Sequence, residues 1–298
     1  MKLIKTWVRA LRVYQWVKNT LIFVPLLTSF HFTQLHDVLQ TIAAFFAFSM
    51  VASANYLVND LMDIESDRLH PRKRLRPLAS GAIGKGAALS VAALFLIVGA
   101  ALAWVVGGLF PWVLAGYLAL TLTYSAYLKK LVLADVLTLS MLYTVRIMAG
   151  AVAISVELTS WLLAFSVFIF FSLALIKRCA ELVAMEEEGV GRAAGRNYLA
   201  ADLRVLWPLG VGAALCAVVI FGLYISADET RMRYASPNVI WLAGLGLIYW
   251  LSRLWIKTSR GEMHDDPIVY ALRDRASRLC IASMIVATLC AYFIRLPL

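Results

Sequence analysis

The sequence predicts an all-α, polytopic membrane protein, and its composition and apolar patterning both lead to that fold class. Of the 298 residues, 62% are hydrophobic and only 15% are charged, and the mean hydropathy is +0.79. A soluble domain carries about a quarter charged residues, and a soluble fold of this length could not cover so much apolar surface. The apolar residues also form continuous runs of roughly 20 residues, the length that a helix needs to cross a bilayer.

Nine of these runs are candidate membrane-spanning helices. They are continuous rather than alternating, which favours helices over the strands of a barrel. The first run is the weakest candidate, because it is short and Pro25 interrupts it. The predicted spans are 19–34, 38–60, 87–107, 109–128, 131–153, 160–180, 204–226, 238–256 and 277–295.

The basic residues predict the orientation of the spans. All but four of the 28 Lys and Arg residues lie at the N-terminus or around the connections that follow spans two, four, six and eight. The positive-inside rule then predicts a cytoplasmic N-terminus and an outer C-terminus. A net charge of +10 would suggest nucleic acid in a soluble protein, but here it reports topology, and no nucleic-acid partner is expected. We expect one membrane-embedded domain over residues 1–298, although the long charged connections after spans two and six hint at an internal duplication.

Acidic residues form a stripe at the end of the second predicted span. Asp60, Asp63 and Asp67 are spaced by three and four residues, and Asn55 and Asn59 continue the stripe toward the span. On a helix these positions share one face, where like charges repel unless a cation lies among them. Mg²⁺ prefers oxygen ligands and often joins carboxylates to phosphates. The stripe therefore predicts a metal site at the cytoplasmic face, and a solvated helix end is the alternative.

A basic run follows the acidic stripe directly, from Arg72 through Lys73 and Arg74 to Arg76. Acidic residues followed by basic residues suit a metal-bound diphosphate, because acids hold the metal and cations hold phosphoryl oxygens. A topology signal or contact with lipid headgroups is the alternative for the basic run alone.

The motif Asn59-Asp60-x-x-Asp63-x-x-x-Asp67 resembles the first aspartate-rich motif of the UbiA superfamily of membrane prenyltransferases. The resemblance extends over essentially the whole chain. It implies nine helices around a central cavity, and it implies that the motif binds Mg²⁺ and a diphosphate. The family's second aspartate-rich motif is missing after span six, where the chain has Lys177-Arg178-Cys-Ala-Glu181.

This departure resembles the decaprenyl-phosphate phosphoribosyltransferase branch. Further stretches that resemble that branch are Gln15-Trp16-Val17-Lys18-Asn19, Tyr124 with Lys129, Arg146 with Ala149-Gly150, and Ala271-Leu272-Arg273-Asp274-Arg275. The resemblance implies Mg²⁺-dependent transfer of 5-phosphoribose from phosphoribosyl diphosphate to a polyprenyl phosphate, at a bacterial or archaeal cell membrane. It also implies a homo-oligomer, a trimer.

The residues that match the branch carry its expected roles. Asp60, Asp63 and Asp67, with Asn59, are expected to bind Mg²⁺ and the donor, and Arg72, Lys73, Arg74 and Arg76 are expected to neutralise the leaving pyrophosphate. The remaining expected substrate ligands are Lys129, Arg146, Lys177, Arg178, Glu181, Tyr124, Gln15 and Lys18. Several have structural alternatives: Lys177 and Arg178 could pair with Glu181, Arg146 could pair inside the protein, and Gln15 and Lys18 could anchor the chain at the membrane interface. No role is assigned to Asp265 or Asp266.

Two other functions remain as alternatives. An ordinary prenyltransferase would move a prenyl group from a prenyl diphosphate to an aromatic or other acceptor, and the cationic pair in place of the second acidic motif speaks against it. A transporter or lipid-binding protein would carry its charges near the middle of the membrane, whereas these charges gather at one face.

Overall fold

Every regular element in the described part of the chain is a helix, which confirms the all-α class. The computed structural model describes residues 2–69, 73–187, 196–263 and 266–295. The α-helices are α1 (Lys2–Ala10), α2 (Val24–Thr28), α3 (Leu35–Met62), α4 (Ile64–Leu69), α5 (Lys85–Val106), α6 (Phe110–Ala126), α7 (Ala134–Ala153), α8 (Ser160–Glu187), α9 (Leu203–Ser226), α10 (Asp228–Arg233), α11 (Ile240–Ser259), α12 (Pro267–Arg273) and α13 (Arg275–Phe293). Short 3-10 helices lie at Val13–Phe23, His31–Thr33, Lys73–Leu75, Leu128–Lys130, Ala200–Asp202 and Pro237–Val239.

Seven helices of the described chain are long and apolar enough to cross a membrane, namely α3, α5, α7, α8, α9, α11 and α13. Helix α6 lies where the fourth span was predicted, and its 17 residues are slightly fewer than the roughly 20 that a full span needs. Large apolar side chains such as Ile97 and Trp104 of α5 are exposed, as lipid-facing residues are. The chain is a multi-pass membrane protein, and this set of helices is compatible with the predicted nine.

The first predicted span, 19–34, is not one helix. Its residues are divided among the 3-10 helix Val13–Phe23, helix α2 and the 3-10 helix His31–Thr33. Pro25 lies in the first turn of α2, where a residue without an N–H is tolerated, so a new helix begins there. Phe30 then has a φ of 61°, a left-handed conformation that no helix can continue through.

The chain divides into two compact units. Unit one contains Met1–Tyr127 and Val145–Leu158, and unit two contains Leu128–Thr144 and Thr159–Leu298. Helix α7 supplies residues to both units. The expectation that residues 1–298 act as one domain stays a prediction.

Helices α3 and α5 of unit one pack closely through small residues. A Cβ on Gly99 of α5 would lie 2.9 Å from Val51 Cγ2 and 3.2 Å from the carbonyl oxygen of Ala47, both on α3. Where lipid replaces water, such close backbone approach supplies the van der Waals contact that holds helices together. This packing supports α3, the helix that carries the acidic stripe.

The 3-10 helix Val13–Phe23 lies along α3 in unit one. Trp16 Nε1 donates a hydrogen bond to Ser53 Oγ at 2.9 Å, and Ser53 Oγ donates to the carbonyl of Leu11 at 2.8 Å. The other side of the segment meets α7, where a Cβ on Gly150 would lie 2.0 Å from the carbonyl oxygen of Ile22. A glycine is therefore required at position 150, and this explains the small residues that the sequence places there.

Unit two packs in a similar way around a buried tryptophan. A Cβ on Gly210 of α9 would lie 2.2 Å from the Trp255 ring of α11. Trp255 Nε1 donates to Ser172 Oγ at 3.1 Å, and Ser172 Oγ donates to the Gly210 carbonyl at 2.8 Å. Helices α8, α9 and α11 are thereby joined by polar bonds that leave the indole N–H satisfied.

Asp274 joins α13 to α11. Its carboxylate accepts two hydrogen bonds from Arg253, at 2.6 and 3.0 Å, and caps α13 by accepting the N–H of Ser277 at 2.7 Å. Burial raises the pKa of Asp274, but these hydrogen bonds outweigh it and lower the pKa below its usual value.

We expect Asp274→Ala to lower the free energy of unfolding by about 1–2 kcal/mol, the usual effect of losing a helix cap. Activity should fall only in proportion to the loss of folded protein. Because the folded-state pKa is lowered, the stabilisation should be complete above about pH 4, the unfolded pKa, and should disappear as the pH falls through the lower folded-state value. Unfolding of both proteins in detergent across this pH range measures the effect. A stability difference that grows as the pH falls would contradict it.

Candidate active site

The acidic stripe runs along the C-terminal end of α3 and into α4, with one interruption. The helix ends at Met62, Asp63 is its C-cap, and α4 begins at Ile64. Hydrogen bonds of helical spacing continue through the break, from the Asp63 N–H to the Asn59 carbonyl at 3.0 Å and from the Asp67 N–H to the Asp63 carbonyl at 2.8 Å. The predicted helical face is therefore interrupted at Asp63, but the spacing of the acids along it is kept.

Asp60 is the centre of a cluster of opposite charges in unit one. Only 3% of the residue is exposed, and its Oδ1 accepts hydrogen bonds from Arg12 Nη2 at 2.6 Å and from Arg76 Nη1 at 3.2 Å. The Arg12 guanidinium also lies over the ring of Tyr56, 4.6 Å from its centroid. Taking a carboxylate out of water is costly unless it is paired, and the two arginines supply that pairing.

Arg76 joins Asp60 to Asp67. The same nitrogen, Nη1, lies 3.2 Å from Asp60 Oδ1 and 2.7 Å from Asp67 Oδ2, and Asp67 is also buried. Two buried carboxylates thus face a single cationic position. Mg²⁺ prefers such carboxylate oxygens, so the donor set at this position fits the metal that the motif predicts.

The other two polar side chains of the stripe, Asp63 and Asn59, differ in their hydrogen bonding. The half-exposed carboxylate of Asp63 makes no hydrogen bond or ion pair with the residues that the structure describes. Asn59 Nδ2 donates to Ser125 Oγ of α6 at 3.2 Å. In the described ranges, no three His, Cys, Asp or Glu side chains are close enough together to hold a metal ion as they stand. Metal binding to Asp60 and Asp67 would therefore require Arg76 to move off them.

The other members of the basic run extend away from the buried acids. Lys73 and Arg74 belong to the 3-10 helix Lys73–Leu75 and are exposed, whereas Arg76 is half-buried. Arg72 lies outside the described residues. The run thus supplies one cation to the buried carboxylates and presents two others to solvent.

Arg146 is buried in unit one and holds three segments together. Its Nε donates to Asn19 Oδ1 at 2.8 Å, and its Nη2 donates to the Tyr117 hydroxyl at 2.9 Å. The guanidinium also lies 4.9 Å from the centroid of the Tyr117 ring, and Asn19 Nδ2 donates to Ser49 Oγ at 3.0 Å. These contacts give Arg146 a structural role; its expected role in substrate binding stays a prediction.

The other expected substrate ligands of unit one are Gln15, Lys18 and Tyr124, all half-buried. Gln15 belongs to the 3-10 helix Val13–Phe23, and its buried Oε1 accepts no hydrogen bond from the part of the chain that the structure describes. Tyr124 lies one residue before Ser125, the partner of Asn59, so α6 brings it near the acidic stripe.

Lys177 belongs to a separate cluster in unit two. Its Nζ lies 3.7 Å from Asp266 Oδ2, and about a third of its side chain is exposed. The Tyr143 hydroxyl donates to the same carboxylate at 3.2 Å, and the Tyr143 ring stacks on Phe170 with centroids 5.1 Å apart. Asp266 also caps α12 by accepting the N–H of Ile268 at 3.2 Å. The ammonium of Lys177 and the hydroxyl of Tyr143 therefore meet the carboxylate of Asp266 at the N-terminus of α12.

Arg178 is fully buried in a network of ion pairs within unit two. Its Nη2 donates to Asp135 Oδ2 at 2.5 Å, and its Nη1 forms a very short contact with Glu181. Glu181 also accepts from Arg196 Nη1 at 3.0 Å, and the Arg178 guanidinium lies 5.2 Å from the Tyr198 ring centroid. Arg178 and Glu181 therefore bind each other and their neighbours, as the structural alternative expected.

Tyr198 completes this network. Its hydroxyl donates to Asp135 and accepts the N–H of Leu133 at 2.9 Å. Burial and the hydrogen bond to Asp135 raise the pKa of Tyr198, so the phenol stays protonated and keeps donating to the carboxylate. Lys129 lies in the neighbouring 3-10 helix Leu128–Lys130 and is half-buried. Like Lys177, Lys129 is a residue of unit two that is expected to bind the acceptor phosphate.

Arg12 and Asp266 belong to these clusters although the sequence assigned them no site role. Arg12 was counted among the basic residues that set topology, and nothing local distinguishes it from its neighbours. Asp266 precedes a proline, the pattern of a helix cap, which was a usable signal for α12 but not for its contact with Lys177. Both contacts join residues far apart in the chain.

Arg12 combines an ion pair with a strained backbone, since its φ is 50°. We expect Arg12→Ala and Arg12→Gly to lose the Asp60 contact equally, but the glycine variant should be more stable by about 1 kcal/mol, because glycine adopts this conformation without strain. Chemical unfolding of the two variants in one detergent measures the difference. Equal stabilities would mean that the segment relaxes out of the left-handed conformation.

A many-helix membrane fold, with buried carboxylates and arginines gathered at the end of one helix, defines a membrane-embedded enzyme whose site suits metal and phosphate. Residues 21–273 match the UbiA prenyltransferase family, and the chain belongs to that family. The predicted membership of this family is thereby confirmed.

Several proteins are similar to the chain over most of its length. It is 40% identical over 280 residues to "Uncharacterized protein y4nM" of Sinorhizobium fredii. That match covers 92% of this chain and 53% of the relative, so the chain spans about half of the relative's length. It is 33% identical over 281 residues to "Nodulation protein NoeC" of Azorhizobium caulinodans, covering 94% and 91% of the two chains. It is 32% identical over 278 residues to the decaprenyl-phosphate phosphoribosyltransferase of Mycobacterium tuberculosis, covering 91% and 89%.

The fold resembles that of a solved structure as well. A UbiA homolog from Archaeoglobus fulgidus bound to GPP and Mg²⁺ superposes with a TM-score of 0.68, at 16% identity, over 95% of this chain and 99% of that chain. At this identity the similarity concerns the fold.

Proposed function

We propose that this chain transfers 5-phosphoribose from phosphoribosyl diphosphate to a polyprenyl phosphate and releases pyrophosphate. The observation that carries the proposal is the cluster in which Arg76 joins Asp60 and Asp67, next to Asp63, whose carboxylate binds no other side chain among the described residues. Acids suited to a cation and arginines suited to phosphoryl oxygens stand together there. The similarity to the decaprenyl-phosphate phosphoribosyltransferase of Mycobacterium tuberculosis supports the same reaction class.

The donor diphosphate would bind in unit one. Arg12 and Arg76 exchange their carboxylate partners for phosphoryl oxygens, which guanidinium groups bind in the same forked geometry. That exchange frees Asp60 and Asp67, and with Asp63 they would hold Mg²⁺. Bound there, Mg²⁺ would neutralise charge on the leaving pyrophosphate. The exposed Lys73 and Arg74, together with Arg72, add positive charge where the donor arrives.

The transfer itself needs no strong base. The bond between ribose C1 and the diphosphate oxygen breaks, and its electron pair leaves with the pyrophosphate. An oxygen of the lipid phosphate forms the new bond to C1, and this oxygen is already anionic near neutral pH. The protein therefore contributes binding, orientation and stabilisation of the leaving group.

The acceptor phosphate would bind to cations of unit two. Lys177 is the best suited, because it is partly exposed and its 3.7 Å contact with Asp266 is long enough to yield to a phosphate. The Tyr143 hydroxyl is a neutral donor at the same position. Lys129 is a second candidate, whereas Arg178 supports the site by fixing α8 to α7.

The same proposal includes the topology and assembly. The N-terminus and the acidic stripe lie on the cytoplasmic side of a bacterial or archaeal cell membrane, where a soluble sugar diphosphate has access, and the C-terminus lies outside. The chain assembles as a homo-oligomer, a trimer.

The test is an incubation of the purified protein with Mg²⁺, ribose-labelled phosphoribosyl diphosphate and polyprenyl phosphates of several lengths. We expect label to enter the lipid fraction only when metal and acceptor are both present. Label that stays in the aqueous fraction with every acceptor would refute the proposal. Transfer from a prenyl diphosphate to an aromatic acceptor, measured in parallel, would instead favour the ordinary prenyltransferase reaction of the family.

A further inference from the structure

Helix α1, at the start of unit one, has an apolar face and a basic face. Leu3, Ile4 and Val8 lie on one side of it, because residues one, four and five positions apart recur on the same side of a helix. Lys5 and Arg9 are four residues apart and share another side. A helix with this division is typical of a segment that lies in the surface of a membrane.

The C-terminal half of α1 packs against the protein and fixes the level of the helix. Ala10 is buried in a core cluster of unit one, and Trp7 and Leu11 pack against that cluster. Its other members come from the C-terminal part of α3 and the N-terminal part of α5, and they include Ala54, Leu57, Ala88 and Ala92. Both α3 and α5 are long and apolar enough to cross a membrane, so α1 lies at the level where two spans end.

A second contact places α1 at the same level. Arg12 follows α1 by two residues, and its guanidinium lies 2.6 Å from Asp60, close to the end of α3. The segment is therefore held beside the end of a span by an ion pair as well as by apolar packing. The headgroup region of a bilayer begins where the spans end.

The N-terminal half of α1 leaves its apolar side chains uncovered. Leu3 and Ile4 are each 68% exposed, and Val8 is 46% exposed. A contiguous apolar patch bordered by charges marks a surface that binds a membrane or another protein. Because α1 lies at the level of the span ends, the boundary between headgroups and acyl chains is available to cover these side chains.

The basic face of α1 indicates which lipid would bind. Lys5 and Arg9 are exposed, and neither side chain pairs with an acid in the part of the chain that the structure describes. The sequence from Lys2 to Arg12 contains no acidic residue. Cations at a membrane surface attract anionic headgroups, whose phosphate oxygens accept their hydrogen bonds.

We infer that α1 is an interfacial helix that binds anionic phospholipids. Leu3, Ile4 and Val8 insert among the lipid chains, and Lys5 and Arg9 bind the headgroups. The helix thereby anchors to the membrane the segment that ends at Arg12, the partner of Asp60. This inference concerns a surface outside the proposed active site and does not depend on the proposed reaction.

The test measures hydrogen exchange of the α1 amides in the full-length protein. The chain is reconstituted singly into nanodiscs of phosphatidylcholine alone, or of phosphatidylcholine mixed with phosphatidylglycerol. We expect the anionic lipid to slow exchange in wild type about fivefold for each cation that binds, because the helix must leave the headgroups before its amides exchange. High salt should remove the difference between the two lipids.

The double variant Lys5→Gln with Arg9→Gln tests the basic face and should exchange at the same rate in both lipids. Its matched control is Lys130→Gln with Arg204→Gln, which removes two exposed cations of unit two and should keep the wild-type response in α1. An α1 variant that still responds to phosphatidylglycerol would overturn the inference. A lower unfolding temperature of that variant in uncharged detergent would also overturn it, because it would assign the two cations to the fold.

The double variant Leu3→Ala with Ile4→Ala tests the apolar face. Alanine keeps the helix propensity high but removes the side chains that enter the lipid, so exchange of α1 should be at least about tenfold faster in both lipids. Unchanged exchange in this variant would contradict the insertion.

The remaining outcomes concern wild type. Equal exchange of the α1 amides in neutral and anionic nanodiscs would overturn the inference. Protection that depends on the number of chains in each nanodisc, and not on lipid charge, would also overturn it and would assign the exposed face to a second copy of the chain.

Discussion

Replacing Asp63 by asparagine is expected to reduce phosphoribosyl transfer at least about a hundredfold while leaving the folded state as stable as wild type. The carboxylate of Asp63 makes no hydrogen bond or ion pair within the described residues, so the amide disrupts no internal contact. An amide oxygen is a weaker ligand for Mg²⁺ than a carboxylate, and the donor site would lose one negative charge. The loss should therefore appear in metal-dependent donor binding and in turnover.

Asp67→Asn is the matched comparison for Asp63→Asn. Asp67 is buried and bound to Arg76, so its replacement should lower both activity and stability. Initial rates over a range of Mg²⁺ concentrations and thermal unfolding in detergent measure the two properties. Full activity of Asp63→Asn at low Mg²⁺ would remove Asp63 from the metal site.

The second large effect concerns the fold. Arg178→Ala should lower the free energy of unfolding by about 3–5 kcal/mol. It leaves the fully buried carboxylate of Asp135 with Tyr198 as its one remaining side-chain partner among the described residues. Glu181 would keep Arg196 and be affected less. For a protein of ordinary stability this change removes a large part of the total, so we expect poor yields of folded protein.

The double variant Arg178→Met with Asp135→Leu distinguishes a structural role from a catalytic one. Removing both charges and filling their volume should recover much of the stability lost in Arg178→Ala. Denaturant unfolding in mixed micelles measures the recovery, and transfer activity should return along with the folded fraction. A variant Arg178→Ala that folds like wild type but no longer binds the lipid phosphate would contradict this account, and would support the role expected from the sequence.

Periodicity and composition were sufficient to predict the helical membrane fold, because lipid requires long apolar helices and their pattern is local. The exception is the region of Pro25 and Phe30. There the chain forms short helices, and Phe30 adopts a left-handed conformation that no sequence pattern displays. Asp63 is a similar case: its helical spacing was predictable, but its position at a helix end was not.

The candidate site was predictable where its residues are close in sequence. Asp60, Asp67 and Arg76 lie within one short stretch, and the structure brings them into contact. Arg12 joins the same cluster from 48 residues away, which only the packing of the first segment on α3 explains.

Arg178 was expected to bind the acceptor phosphate because it stands where the second acidic motif is missing, and that role stays a prediction. Its ion pair with Asp135, 43 positions away, was not predicted. Contacts of this kind join segments that are distant in the chain, and no local sequence pattern displays them.

The most direct test of the central claim follows both halves of the donor in one reaction. Phosphoribosyl diphosphate carrying one label in the 5-phosphate and another in the diphosphate is incubated with wild-type protein, Mg²⁺ and a polyprenyl phosphate. We predict that the 5-phosphate label enters the lipid while the diphosphate label is released in equal amount as pyrophosphate, and that Asp63→Asn does neither. Lipid that carries neither label, or carries both together, would contradict phosphoribosyl transfer at this site.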